Sequence, residues 1–95
     1  MNEDLIWLAG FIDGEGCVSW VKRHKRPSSR FEIRITNTDL LALSWIQQHF
    51  GGYLYELKRI MPHKRRYQWY VADNNAKALY EQLQPYLKIK GDVTR

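Results

Sequence analysis

Two acids separated by one glycine, Asp13 and Glu15, close an otherwise apolar run, Leu8-Ala9-Gly10-Phe11-Ile12-Asp13-Gly14-Glu15-Gly16. Leu5, Leu8, Ala9 and Ile12 recur at helical spacing. A helix over 4–13 is therefore predicted, with Asn2 or Asp4 as its N-cap and Gly14 and Gly16 as its stop. The acids then fall at the helix C-terminus, where the helix dipole disfavours negative charge. That placement costs stability unless a cation offsets it. A divalent metal would do so, since hard cations such as magnesium take carboxylate and carbonyl oxygens. For a generic DGEG string, an ordinary helix stop with two solvated acids is the alternative. Gly10 and Gly14 are four residues apart on nearly one helical face. Without side chains there, a second helix can approach closely.

Other chemistries are poorly supplied. Cys17 is the only cysteine, so no disulfide is expected, and no base is placed by sequence to make it a nucleophile. His24, His49 and His63 are far apart and have no companion thiols, which argues against a structural zinc. No apolar run is long enough to span a bilayer, and Met1-Asn2-Glu3-Asp4 is not a basic signal-peptide start. An intracellular protein with no membrane association and no small-molecule cofactor is expected, in the cytoplasm or nucleoid, or in an organelle matrix if encoded there. Residues 1–95 read as one domain, small enough that dimerisation is the natural way to complete its core.

The elements around the acids read helix, hairpin, helix, hairpin, helix. After Gly16 the period changes to two: Val18 and Trp20 alternate with Ser19, and Arg23 and Lys25 continue the Ser19 face. Past a turn at Arg26-Pro27-Ser28-Ser29, Phe31, Ile33 and Ile35 occupy one face, and Arg30, Glu32, Arg34 and Thr36 the other. Thr38 or Asp39 caps a second helix carrying Leu40, Leu43, Ile46 and Phe50, which ends at Gly51-Gly52. A second hairpin pairs an arm from Tyr53 to Lys58 with one from Arg66 to Ala72. Tyr67, Trp69 and Val71 point inward there, and Arg66, Gln68 and Tyr70 outward; in the first arm Leu54 and Leu57 fall on opposite faces. A last helix starts near Asn74 or Asn75, buries Leu79 and Leu83, and stops at Pro85.

Net charge is +5, but eleven of the fifteen Lys and Arg lie within 22–34 and 58–66, the two hairpins, accompanied there only by Glu32. In one four-stranded sheet the two clusters merge into a positive surface fit for a polyanion. An antiparallel ribbon fits the major groove of duplex DNA, its outward side chains reading base edges and its loops holding phosphates. The candidate contacts are Ser19, Lys22, Arg23, Lys25, Arg26, Arg30, Arg34, Lys58, Lys64, Arg66 and Gln68. Arginine and lysine suit guanine edges, and Gln68 suits adenine. Glu32 either accepts from cytosine or orients an arginine. Tyr53, Tyr55 and Tyr70 contact bases or simply pack.

The run Leu8–Gly16 resembles the signature of the LAGLIDADG homing endonucleases. RITNTDLLAL…FGG, the strand containing Trp69, and LQPYLKIK look like that family too, in its order. The resemblance implies an α+β fold, an αββαββα core whose four-stranded antiparallel saddle-shaped sheet lies over double-stranded DNA. It implies that Glu15 and the Gly14 carbonyl bind magnesium or manganese, with calcium as a non-catalytic substitute. Glutamate in place of aspartate at that position is a familiar variant. Asp13 is expected to support the helix end. Asn37 corresponds to a water-ordering polar residue, although before Thr38 it also makes a plausible cap. Lys90, or the adjacent Lys88, corresponds to a basic residue near the site. One motif copy implies a homodimer joined through Leu8, Gly10, Phe11, Asp13 and Gly14, cleaving both strands of a palindromic or near-palindromic site. A DNA-binding module without cleavage and an RNA-binding splicing cofactor are the alternatives on this scaffold. Further helices after Pro85 are usual in the family, and ten residues follow it in this sequence.

Overall fold

The computed structural model describes residues 2–22, 29–58 and 65–91. Its elements run α1 (Asn2–Glu15), β1 (Gly16–Lys22), β2 (Ser29–Asn37), α2 (Leu40–Phe50), β3 (Tyr53–Glu56), β4 (Tyr67–Ala72) and α3 (Asp73–Leu83), followed by one 3₁₀ turn (Gln84–Tyr86). The four strands form one antiparallel sheet in the order β1-β2-β4-β3. The α+β arrangement predicted from the sequence is the one observed. No helix of the described residues is long and apolar enough to cross a membrane.

Strand alternation decides what faces the helices. Val18, Phe31, Ile33, Ile35, Trp69 and Val71 share one face and are buried with Leu8, Ala9 and Ile12 of α1, Leu43 and Ile46 of α2, and Ala76, Leu79 and Leu83 of α3. All three helices therefore cover one side of the sheet, and the other side is left to the alternate residues. Trp69 sits at the centre with no exposed surface, and its indole Nε1 donates to the carbonyl of Gly51 at 2.8 Å. Burying an indole is favourable only when that N–H finds an acceptor.

Several boundaries differ from the sequence reading. Helix α1 runs through Gly14 to Glu15, so Gly14 does not stop it. The change from helix to strand falls at Gly16, where a Cβ would lie 2.9 Å from the Ile12 Cα. Asn2 and Asp4 both lie inside the helix, where Glu3 and Asp4 suit the positive end of its dipole. Asp39 is the cap of α2: its carboxylate accepts from the Ala42 N–H at 3.1 Å. Leu40, expected in the buried stripe, is 41% exposed at the first helical position. Helix α3 starts at Asp73 rather than at Asn74 or Asn75. Strand β3 stops at Glu56; Leu57 lies beyond it, its N–H still bonded to the Arg66 carbonyl at 2.9 Å. The turn over 26–29 and the loop around Pro62 fall largely or wholly outside the described residues.

Candidate functional site

The tip of α1 is built from both ends of the chain. The last four carbonyls of a helix have no intrahelical partner. Two of them, of Ile12 and Asp13, accept the Lys90 ammonium at 2.8 and 3.1 Å. The Asp13 carboxylate in turn accepts the backbone N–H groups of Lys88 (2.6 Å), Ile89 (3.1 Å) and Lys90 (3.0 Å). Residues 88–90 thus wrap the helix end, with a cation where the dipole is negative and three N–H donors around the acid. Partial burial pushes the Asp13 carboxyl up. The N–H bonds from Lys88, Lys90 and Ile89 and the charge of Lys90 outweigh it, leaving its pKa below the ordinary 3.8. The Tyr80 hydroxyl donates to the Lys90 carbonyl at 3.0 Å and the Gln84 amide to the Gly91 carbonyl at 3.0 Å, which fixes the segment from its other side.

Glu15 is left exposed at this tip, one residue beyond the exposed Gly14. The cation that the acids at the helix end call for is therefore already present for Asp13, as Lys90, while Glu15 stays exposed beyond it. Glu15 carboxylate and Gly14 carbonyl are hard oxygen donors of the kind magnesium takes. No group of three His, Cys, Asp or Glu that could hold a metal occurs among the described residues.

Asn37 is the last residue of β2, two beyond the Gly16–Ile35 pair, and so lies at the same end of the sheet as Glu15. Its side-chain oxygen accepts the Asp39 N–H at 2.9 Å. It therefore helps cap α2, and its amide N–H groups have no partner among the described residues. Lys90 is placed at the helix end. The side chain of Lys88 is exposed, and the described contact of that residue is through its backbone.

The open face of the sheet carries Cys17, Ser19, Arg30, Glu32, Arg34, Thr36, Tyr53, Tyr55, Gln68 and Tyr70, as alternation requires. Glu32 lies between Arg30 and Arg34, 3.8 Å from each, and its side chain is only 13% exposed. Of the two roles open to it, orienting arginines is the one this geometry serves. The tyrosines pack on one another: Tyr53 is stacked with Tyr70 at 5.2 Å, Tyr55 meets Tyr70 edge-on at 6.1 Å, and the Arg30 guanidinium lies 5.7 Å above the Tyr70 ring. Gln68 is held on both sides, its amide nitrogen donating to the Tyr55 hydroxyl at 2.6 Å and its oxygen accepting from Thr36 at 3.2 Å. Lys58 and Arg66 are exposed where β3 and β4 leave the sheet, and Lys22 closes β1. Arg23, Lys25, Arg26 and Lys64 lie outside the described residues.

Of the residues expected at a subunit contact, Gly10 and Gly14 are exposed, and a Cβ at either meets nothing within 4 Å. Phe11 is half-buried against Trp7, and Trp7 in turn meets Trp45 of α2 edge-on at 4.8 Å. Leu8 must be corrected: it has no exposed surface and belongs to the chain's own core, so it cannot meet a partner. Ile6 and Trp7, which the sequence reading passed over, are 51% and 43% exposed and extend the open glycine face. The Asp13 clamp and the Thr36–Gln68–Tyr55 bonds also went unread, because each joins strands or segments far apart in sequence.

A helix ending in a glycine-flanked acid, packed under a four-stranded antiparallel sheet with a basic, hydrogen-bonding open face, defines the class. The LAGLIDADG endonuclease model matches residues 8–90, and the chain belongs to that family. Among solved structures, the homing endonuclease I-CvuI with its DNA target and calcium is similar at 26% identity and a TM-score of 0.75, over 94% of this chain and 59% of that one. The homing endonuclease I-TnaI is similar at 25% identity and a TM-score of 0.68, over 90% and 62%. An archaeal intron-encoded homing endonuclease solved with DNA shares the fold at 23% identity and a TM-score of 0.74, over 95% and 61%. The chain thus spans about 60% of the length of these relatives. No curated protein matches it.

Proposed function

We propose that this chain is a divalent-metal-dependent homing endonuclease that acts as a homodimer and cuts both strands of a near-palindromic DNA site. The observation that carries this reading is the division of labour at the α1 tip. Asp13 is consumed by residues 88–90, and Glu15 is left exposed beside the Gly14 carbonyl, at the end of a sheet whose open face is basic. Glu15 and the Gly14 carbonyl would hold the metal. A divalent ion bound there would activate the phosphodiester and the attacking water as a Lewis acid.

The chain's own groups do the rest. Lys90, held at the helix end, supplies positive charge where negative charge builds on the phosphate. Asn37 directs its free amide N–H groups toward water at the same end of the sheet. Arg30 and Arg34, oriented by Glu32, and Tyr53, Tyr55, Gln68 and Tyr70 contact the groove, while Lys22, Lys58 and Arg66 take phosphates. Gly10 and Gly14, flanked by exposed Ile6 and Trp7, let the α1 helices of two subunits meet and bring two Glu15 side chains to one site.

The test begins with a duplex selected from a randomised pool. Magnesium-dependent cleavage of that duplex is expected from the wild type and is lost in Glu15→Gln, which binds it nearly as tightly. A wild type that binds its duplex but never nicks it with any divalent metal leaves only the DNA-binding module. Selection of single-stranded RNA instead supports the splicing cofactor.

A further inference from the structure

Two arginines on the open face of the sheet do not act as bare cations. Arg30 and Arg34 each have a guanidinium nitrogen 3.8 Å from the Glu32 carboxylate, and the Asp73 carboxylate lies 3.8 Å from the Arg30 Nε. Two arginines and two acids make a cluster with no net charge. At 3.8 Å these contacts balance charge without being hydrogen bonds. The Arg30 Nε is accordingly buried with no hydrogen-bond partner among the described residues. Arg30 is also held over the Tyr70 ring, and Arg34 reaches the Cys17 Sγ at 4.0 Å. Both side chains are therefore restrained and neutralised, with guanidinium donors left for an outside acceptor.

The acids decide which acceptor that is. A phosphate brought to Arg30 is also brought to Glu32 and Asp73, and repulsion from the two carboxylates cancels the attraction of the guanidinium. The O6 and N7 of guanine are acceptors without net charge, and they escape most of that repulsion. A bare arginine takes either partner. Resting on the DNA-binding reading above, we infer that Glu32 and Asp73 are positioning residues that confine Arg30 and Arg34 to guanine edges. The cluster then contributes specificity and adds little to salt-dependent affinity. Glu32 serves both arginines, and Asp73 serves Arg30. Asp73 stands at a φ of 57°, where glycine is unstrained, and brings to Arg30 a carboxylate that glycine lacks. It also suits the positive start of α3, a role that stability reads and DNA binding does not.

The experiment measures binding across a salt series to a duplex selected from a randomised pool, to its single-base variants and to a scrambled duplex. The full chain is compared with Arg30→Ala, Arg34→Ala, Glu32→Gln, Asp73→Asn and Asp73→Gly, the last of which takes the same φ without strain. The wild type is expected to prefer guanine at two positions by roughly 5- to 150-fold each. Arg30→Ala loses one preference and Arg34→Ala the other. Both Asp73 variants blunt the Arg30 position alone and Glu32→Gln blunts both, by roughly 2- to 10-fold, the cost of ordering a long side chain on binding. All three acid variants bind the scrambled duplex roughly 3- to 10-fold tighter, with a salt slope steeper by about one phosphate contact. Loosening of the fold would weaken that binding, the opposite sign. If the acid variants bind the scrambled duplex no tighter than the wild type, or leave both guanine preferences unchanged, the inference is overturned with DNA binding intact. A wild type that binds no duplex overturns the DNA-binding reading itself.

Discussion

Asp13→Asn isolates the joint on which the α1 tip depends. The wild-type carboxylate accepts three backbone N–H groups at 2.6–3.1 Å, from residues 88–90, and Lys90 then reaches the Ile12 and Asp13 carbonyls. Hydrogen bonds to a charged acceptor contribute about 1.5–3 kcal/mol each when shielded from water. Asp13 is only half-buried, and exposed charge interactions contribute much less, so the three together are expected to stabilise by about 2 kcal/mol. Asparagine keeps one acceptor oxygen and loses the charge, for a cost of about 1 kcal/mol; alanine loses all of it. The pH dependence carries the sign. The folded-state pKa of Asp13 lies below its ordinary 3.8, so its contribution is complete above about pH 4 and disappears as pH falls through the folded value. Urea unfolding of wild type, Asp13→Asn and Asp13→Ala at neutral pH and near pH 3 reads this directly. The gap between wild type and Asp13→Asn should narrow in acid, while other carboxylates shift both proteins together. Equal stability of all three at neutral pH, or a gap that does not change with pH, would refute the account of the clamp.

Two further perturbations follow from the same helix. Gly10→Leu fills a position where a Cβ meets nothing within the chain, so it should leave the chain's own packing intact and split a dimer packed through α1; an unchanged dimer in sedimentation would place the contact elsewhere. Gly16→Ala puts a Cβ 2.9 Å from the Ile12 Cα, a backbone atom that cannot swing aside, and should destabilise by about 1–3 kcal/mol in chemical denaturation.

What was legible in the sequence was what repeats locally. Phe31, Ile33 and Ile35 against Arg30, Glu32, Arg34 and Thr36 define β2 and both its faces, and Trp69 with Val71 does the same for β4. Strand β3 was poorly legible because it is a four-residue edge strand whose Tyr53, Tyr55 and Glu56 are exposed, leaving Leu54 as its one inward residue. Leu8 was misplaced for a different reason. Helix α1 is apolar nearly all round, so spacing alone cannot say which apolar stripe meets the sheet and which stays open. Glycine at 14 suggested a stop because glycine usually costs a helix interior stability; here it lies in the last turn, with open space above it. The clamp on Asp13 spans 75–77 residues of sequence, and no local pattern reports a contact of that separation.

The clamp changes what the motif's two acids mean. Read locally, both sit at a negative helix end and both call for a cation. In the fold, one acid is satisfied by the chain and, in being satisfied, holds the segment that brings Lys90 to the helix carbonyls. The same bonds that stabilise the end of α1 therefore place a cation in the last turn of the helix that ends in Glu15. Placement of Lys90 and stability of the tip are then one quantity rather than two. On the function proposed above, a substitution at Asp13 that leaves Glu15 untouched should lower cleavage in step with its effect on the clamp, with DNA binding by the open face of the sheet preserved. If cleavage instead persisted after the clamp was lost, Lys90 would be a structural cap alone, and Glu15 would have to act without it.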